Sequence, residues 1–261
     1  GNALADPLGE MAGRNVLYRA RDIEALSKHF KTDPETASKR IASLRQRLLK
    51  ARRSRPAVPV DDKIVTVWNG YMITTLAGAA RLLNEPRYLQ AAESAAGFIF
   101  ANMHDAGSGL LFRDWRAGVQ GVPGFSEDYA AMAEGLLALY GVNGDKRWLR
   151  RARRLVDSRL MAYWDKQSGG FYSTLPDSGL WLREKPAVDG ATLTVNGMAV
   201  QLLQQLGRLT GESAYQDRAR QTAAWMGAQL ADTPALMPYA LMVWPDLMQA
   251  DKSFEEKSSS N

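Results

Sequence analysis

The feature that most constrains this chain is a helical hairpin that recurs about every sixty residues. The first copy begins near Val65 and carries Trp68, Met72, Leu76 and Ala79 at helical spacing. It turns at Asn84-Glu85-Pro86 and continues through Tyr88, Ala92 and Ala96. The second starts near Ser126 with Tyr129, Ala133, Leu136 and Tyr140, turns at Asn143-Gly144-Asp145, and continues with Trp148, Ala152 and Val156. The third holds Asn196, Val200 and Leu203, turns at Gly211-Glu212, and continues with Tyr215, Ala219 and Ala223. The aromatics that open the second helices, Tyr88, Trp148 and Tyr215, stand 60 and 67 residues apart. A hairpin with one apolar face cannot bury that face alone, so repetition implies stacking of each hairpin on its neighbours.

The flanking segments fit the same plan. Thr32-Asp33-Pro34-Glu35 signals a helix start, with a capping side chain and then proline near the first helical position. Ala37, Ile41, Leu44 and Leu48 follow as one stripe, and the spacing predicts a basic helix over 33–53 that Pro56 and Pro59 terminate. The hairpins are predicted over about 64–104, 126–164 and 191–230, followed by a last helix over about 234–249. Residues 1–250 are read as one domain and 251–261 as a disordered tail. Gly109-Leu110-Leu111-Phe112 and Gly169-Gly170-Phe171-Tyr172 each begin 21 residues after a second-helix aromatic. Both read as short β-hairpins or extended loops at one rim. The expected class is all-α, built of repeated helical hairpins.

Composition excludes several chemistries. With no cysteine, the chain has no disulfide, thiol nucleophile, redox pair or cysteine zinc site. Two histidines argue against a histidine metal site, and no cofactor is expected. No run of about 20 apolar residues predicts a membrane span, and no basic start precedes an apolar stretch as in a signal peptide. A cytoplasmic protein without a membrane partner is the expectation. The net charge of +5 comes from one place: Lys28–Arg55 holds ten Lys/Arg against two Asp/Glu, leaving −3 for the rest. No aromatics interleave this run as a single-strand nucleic-acid platform requires. It reads as a solvated helix face with cations at the negative end of the helix dipole.

Helices alternate in direction, so all first helices start at one end of the stack, and polar residues collect there. Asp62, Lys63, Trp68 and Asn69 precede or open the first hairpin. Glu127, Asp128 and Tyr129 open the second, and Asp189 and Asn196 the third, while the linker brings Arg113. Aromatic faces stack on apolar ring faces, and carboxylates and amides bind hydroxyls, so the set suits a sugar-type small molecule. Asp62 and Asp128 are the candidate acid and base, a pairing that needs about 5 Å or about 6.5–9.5 Å between carboxyls. Lys63 and Arg113 are candidate electrostatic partners. Each residue also has a structural reading. Helix-start acids cap free N–H groups, Trp68 and Tyr129 suit a core, and Asn196 suits a cap or interhelical bond. His29 and His104 read as packing or surface residues.

Asp61-Asp62-Lys63 through Trp68-Asn69-Gly70 resembles the "DDK…WNG" signature of the YyaL-type, spermatogenesis-associated thioredoxin-domain proteins. Gly124-Phe125-Ser126-Glu127-Asp128-Tyr129-Ala130 is similar to their "fLEDYA" segment, and Asp189-Gly190-Ala191 with Asn196 to their "DGA.PSGNS" segment. The stretch from Gly1 to Leu17 resembles the sequence upstream of their signature. The resemblance implies an N-terminal thioredoxin-like domain followed by an (α/α)6 toroid akin to N-acylglucosamine 2-epimerases and six-hairpin glycosidases. It implies that this chain is the C-terminal part, with nine or ten of twelve toroid helices. Leu193-Thr194-Val195-Asn196 departs from the family's Pro-Ser-Gly-Asn, and Tyr71 replaces a leucine beside the expected cleft. No histidine stands at the rim for epimerase proton transfer. Two functions compete: a carbohydrate-binding or carbohydrate-modifying toroid, and a non-catalytic helical scaffold that docks a thioredoxin-like domain or another protein.

Overall fold

The computed structural model describes Gly9 and residues 18–243. The chain divides into two compact units, residues 1–61 and 62–261. In the first, α1 (Ile23–Phe30) is capped by Asp22, which accepts from Ala25 N at 2.7 Å. The second helix, α2 (Pro34–Arg53), is capped by Asp33, which accepts from Thr36 N at 2.8 Å. Lys50, Arg52 and Arg53 lie in its last turn, where the dipole favours cations. Of its apolar stripe Ala37 is buried and Ile41 half-buried, while Leu44 and Leu48 are exposed.

The second unit contains the three hairpins: α3 (Thr66–Leu83) with α4 (Pro86–Asn102), α5 (Ser126–Asn143) with α6 (Lys146–Ser158), and α7 (Val195–Thr210) with α8 (Ser213–Asp232). All three turns use one device. Asn84 (φ +53°), Gly144 (φ +69°) and Gly211 (φ +77°) take the left-handed conformation, and each backbone N–H returns to the carbonyl four residues before it. The aromatics that mark the repeat each occupy the third position of a second helix, and Trp148 and Tyr215 are buried.

The first helices α3, α5 and α7 pack side by side, and each second helix packs on its own partner. The central α5 is buried on most of its surface, including Ala130–Ala133, Leu136, Leu137 and Leu139. Its approach to α3 depends on small residues. A Cβ on Gly70 would lie 2.6 Å from the carbonyl carbon of Ala131, and one on Gly135 would lie 3.1 Å from the carbonyl oxygen of Gly70.

The fold is mostly helical with short antiparallel strands. β1 (Ile64–Val65), β2 (Asp114–Arg116) and β3 (Val119–Gln120) form a sheet in that order, with Ile64 opposite Trp115 and Arg116 opposite Val119. The two-residue loop Ala117-Gly118 has φ +49° and +88°, the pattern of a type I′ hairpin turn. β1 lies before Gly109–Phe112 and β2 and β3 after it; that segment takes part in the isolated bridges His104–Leu111 and Phe112–Pro123, matched in the next linker by Trp164–Phe171. The two linkers also share a turn. Asp105 accepts from Gly107 N (2.9 Å) and Ser108 Oγ (2.8 Å), and Asp165 accepts from Gln167 N (3.0 Å) and Ser168 Oγ (2.5 Å).

After α8 comes a 3₁₀ turn, Pro234–Leu236, and then helical residues 238–243. The rest of the predicted last helix, the 251–261 tail and, apart from Gly9, the Gly1–Leu17 stretch lie outside the described residues. No helix among the described residues is long and apolar enough to cross a membrane.

Candidate functional site

The starts of the three first helices meet at one end, and Asp128 shows how. It is the third residue of α5, so its side chain can reach back over the helix start. Its Oδ2 accepts from Phe125 N at 2.9 Å, and its Oδ1 crosses to α3 and accepts from Val67 N at 3.0 Å. One carboxylate thus caps two helices. It is fully buried, and that burial pushes its carboxyl up to about 6 against the pull of the Phe125 N–H and the Arg113 charge.

Arg113 is fixed by its backbone. Its carbonyl accepts from Thr66 N, the first residue of α3, at 2.8 Å, and its N–H donates to Val122 O at 2.8 Å. The guanidinium lies 4.9 Å from the Phe125 ring centre. Its Nη1 donates to Glu127 Oε1 at 2.6 Å and to Asp128 Oδ2 at 3.1 Å. Burial opposes this cation, yet the two carboxylates hold its pKa above the ordinary value. The other oxygen of Glu127 accepts from Thr192 Oγ1 at 3.3 Å.

These groups border a cavity of about 390 Å³ whose wall includes Arg113, Phe125, Ser126, Glu127, Thr192 and Thr194. Glu127 keeps 22% of its side chain exposed, whereas Asp128 lies behind it. The buried hydroxyl of Ser126 has no hydrogen-bond partner among the described protein groups. An orphaned buried hydroxyl costs about 1–3 kcal/mol.

The other expected site residues take different places. Asp62 is exposed, pairs with Arg116 at 2.5 Å and does not line the cavity. Lys63 is exposed, and Trp68 is 59% exposed on α3. Asn69 turns back, donating from Nδ2 to Val65 O at 2.9 Å. Tyr129 belongs to the core, and its hydroxyl accepts from Leu111 N at 3.1 Å. Asn196 is fully buried: its Oδ1 accepts from Phe171 N at 2.6 Å, and its Nδ2 donates to Phe171 O at 3.0 Å and Pro186 O at 2.7 Å. Asp189 accepts from Thr194 N at 2.9 Å and from Tyr239 N at 2.8 Å. Arg113, Glu127 and Asp128 are the predicted residues that meet directly. Among the described residues no cluster of His, Cys, Asp or Glu is arranged to hold a metal ion.

Two features escaped the sequence reading. Tyr71, marked there only as a bulky departure, accepts from Leu193 N at 3.1 Å and so ties α3 to the loop before α7. Glu134 borders a second cavity. Its signal was present as a lone acid within the otherwise apolar stretch Ala130–Leu139.

No protein-family model matches this chain. Over 243 residues it is 31% identical to spermatogenesis-associated protein 20 of Homo sapiens, an alignment covering 89% of this chain and 31% of that protein. The chain spans about a third of the length of the curated relatives it matches. Among solved structures, a GH76 α-mannanase from Bacteroides thetaiotaomicron superposes with a TM-score of 0.55 at 19% identity, over 66% of this chain and 46% of that one. Cellobiose 2-epimerase from Spirochaeta thermophila gives 0.50 at 20% identity, over 62% and 42%. At such identities the likeness is one of fold. The chain is a distant homologue of spermatogenesis-associated protein 20, with a mostly helical fold consistent with the six-hairpin glycosidase and epimerase group.

Proposed function

We propose that this chain forms part of an (α/α)6 toroid that binds carbohydrate, with the ligand seated in the cavity beside Glu127. The observation that carries this reading is the Glu127 carboxylate, held between Arg113 and Thr192 at the wall of a 390 Å³ cavity. A fixed carboxylate and guanidinium offer acceptors and donors to vicinal hydroxyls. Phe125 supplies an apolar face at the same wall. The fold shared with a mannanase and a cellobiose epimerase supports the class of ligand by analogy. In this reading Glu127 and Arg113 touch the ligand, and Asp128 positions Arg113 while capping α3 and α5.

Calorimetric titration of the chain, and of the longer protein, with free and phosphorylated sugars tests this. Binding that Glu127→Gln weakens at least tenfold, with the fold intact by circular dichroism, is the expected result. No binding to any saccharide by either protein would overturn it. The second reading is a scaffold that docks an N-terminal thioredoxin-like domain. It is favoured by the commitment of Asp128, Asp189 and Asn196 to backbone groups. Binding to an isolated thioredoxin-like domain that survives Glu127→Gln would support that reading instead.

A further inference from the structure

Six residues after Asp128 on α5, Glu134 borders a second cavity of about 260 Å³. Its wall is polar for a surface between helices: Thr74 and Arg81 come from α3, Gln201 and Gln205 from α7, and Tyr239 from the helical residues 238–243. Glu134 has some surface open to the cavity, but protein surrounds it at longer range. That desolvation pushes its carboxyl up to about 8.

The proton count in this cluster is restrictive. Tyr239 Oη lies 2.6 Å from Gln201 Oε1 and 3.3 Å from Glu134 Oε1. The phenol has one proton and the amide oxygen has none, so the short contact is the phenol donating to Gln201. Glu134 and the phenol oxygen can then bond only if Glu134 supplies the proton. The neutral acid completes a directed chain from Glu134 through Tyr239 to Gln201. An ionised Glu134 leaves two acceptors competing for one proton unless the Gln201 amide turns over to present its N–H group.

The other end of Tyr239 leads to the candidate cavity. Its N–H donates to Asp189 Oδ2 at 2.8 Å, Asp189 Oδ1 accepts from Thr194 N at 2.9 Å, and Asp189 N donates to Leu236 O at 2.9 Å. Val188, Gly190 and Thr194, around this anchor, line the cavity beside Glu127. We propose that Glu134 is a positioning residue for that cavity: as a neutral acid it seats Tyr239, and through Tyr239 and Asp189 it holds the 188–194 loop in place. The proposal rests on reading the cavity beside Glu127 as the ligand site, but not on the ligand being a sugar.

The groups that bear on Glu134 are few. α3 presents Arg81 at the cavity wall and Tyr71 near Tyr239, α7 presents the uncharged Gln201 and Gln205, and Asp189 acts on Tyr239 from the loop. Among the described residues lining the cavity Arg81 is the one cation, at an exposed position where solvent screens it.

The experiment is a pH titration of the isotopically labelled chain by NMR from pH 6 to 9.5, with no ligand present. The Tyr239 and Thr194 amide signals are expected to shift together with a midpoint near 8, and Glu134→Gln should abolish that shift. In Tyr239→Phe the Glu134 carboxyl carbon should still titrate while the Thr194 amide no longer follows it. A Thr194 amide that responds to pH in Glu134→Gln as in the wild type, or that still follows Glu134 in Tyr239→Phe, would overturn the proposal. If the Gln variant does not fold, the Phe variant decides alone. Because no saccharide is used, failure here is separable from failure of the carbohydrate reading.

Discussion

Gly70 of α3 and Ala131 of α5 lie so close that a methyl group on Gly70 would sit 2.6 Å from the Ala131 carbonyl carbon and 2.7 Å from its oxygen. Gly70 is the last residue of the Trp68-Asn69-Gly70 motif. Its role there is steric: it lets two helix backbones approach.

Gly70→Ala should therefore destabilise, although alanine is the better helix former by about 1 kcal/mol. The obstacle is backbone, which cannot rotate away, so a net loss of about 1–3 kcal/mol is expected. Gly78→Ala on the same helix is the control. A Cβ there meets nothing within 4 Å, and a gain of about 0.5–1 kcal/mol is expected. Urea denaturation of both variants checks the sign of each.

Asp128→Ala should cost more than an ordinary cap. It frees the Val67 and Phe125 N–H groups together and leaves Arg113 with Glu127 alone. Loss of two buried bonds predicts about 2–4 kcal/mol. The affected helix starts should show faster hydrogen exchange at Val67 and Phe125 than in the wild type.

Asn196→Ala should be similarly severe, because it strips partners from the Phe171 N–H and from the Phe171 and Pro186 carbonyls. About 2–4 kcal/mol is expected, and Asn196→Asp should not rescue it. Aspartate retains the acceptor for Phe171 N but loses both donations and places a charge in a fully buried position. Chemical denaturation of the two variants tests this ordering.

Glu134 predicts a pH dependence of stability. Its folded pKa is raised from 4.5 to about 8, so folding favours its protonated form. The stability it contributes is fully present below pH 4.5 and is lost as pH rises through 8. Glu134→Gln should remove that slope. The melting temperature of the variant relative to the wild type should climb steadily between pH 5 and 8, by several degrees, since about 1 kcal/mol corresponds to about 2–4 °C in a chain of this size. A difference that stays flat over that range would contradict the assignment.

The hairpins were legible in the sequence because their signals are local. Turn residues tolerant of left-handed backbone stand at Asn84, Gly144 and Gly211, and Pro86 stands where a helix can start. Short β-hairpins were expected at the rim, but the positions of the strands were not legible, because two or three residues are too short to alternate and Ala117 carries no sign that it will adopt a left-handed turn. At the site, the sequence showed acids at helix starts and put Asp128 ahead of Glu127 as acid or base, without access to their surroundings. Their order depends on which side chain meets the N–H of Val67, 61 residues away. Asn196 was visible as a polar residue among apolar ones. Its partner Phe171 lies 25 residues back in a linker that periodicity does not describe.

Leu111 and Phe171 occupy matching places in successive linkers, yet a phenol, Tyr129, holds the first amide and a carboxamide, Asn196, holds the second. What recurs in the two linkers is an address for a hydrogen bond rather than a letter in the alphabet of side chains. The likeness of two units in such a stack can therefore stand in their connectivity where a residue-by-residue comparison of them finds none.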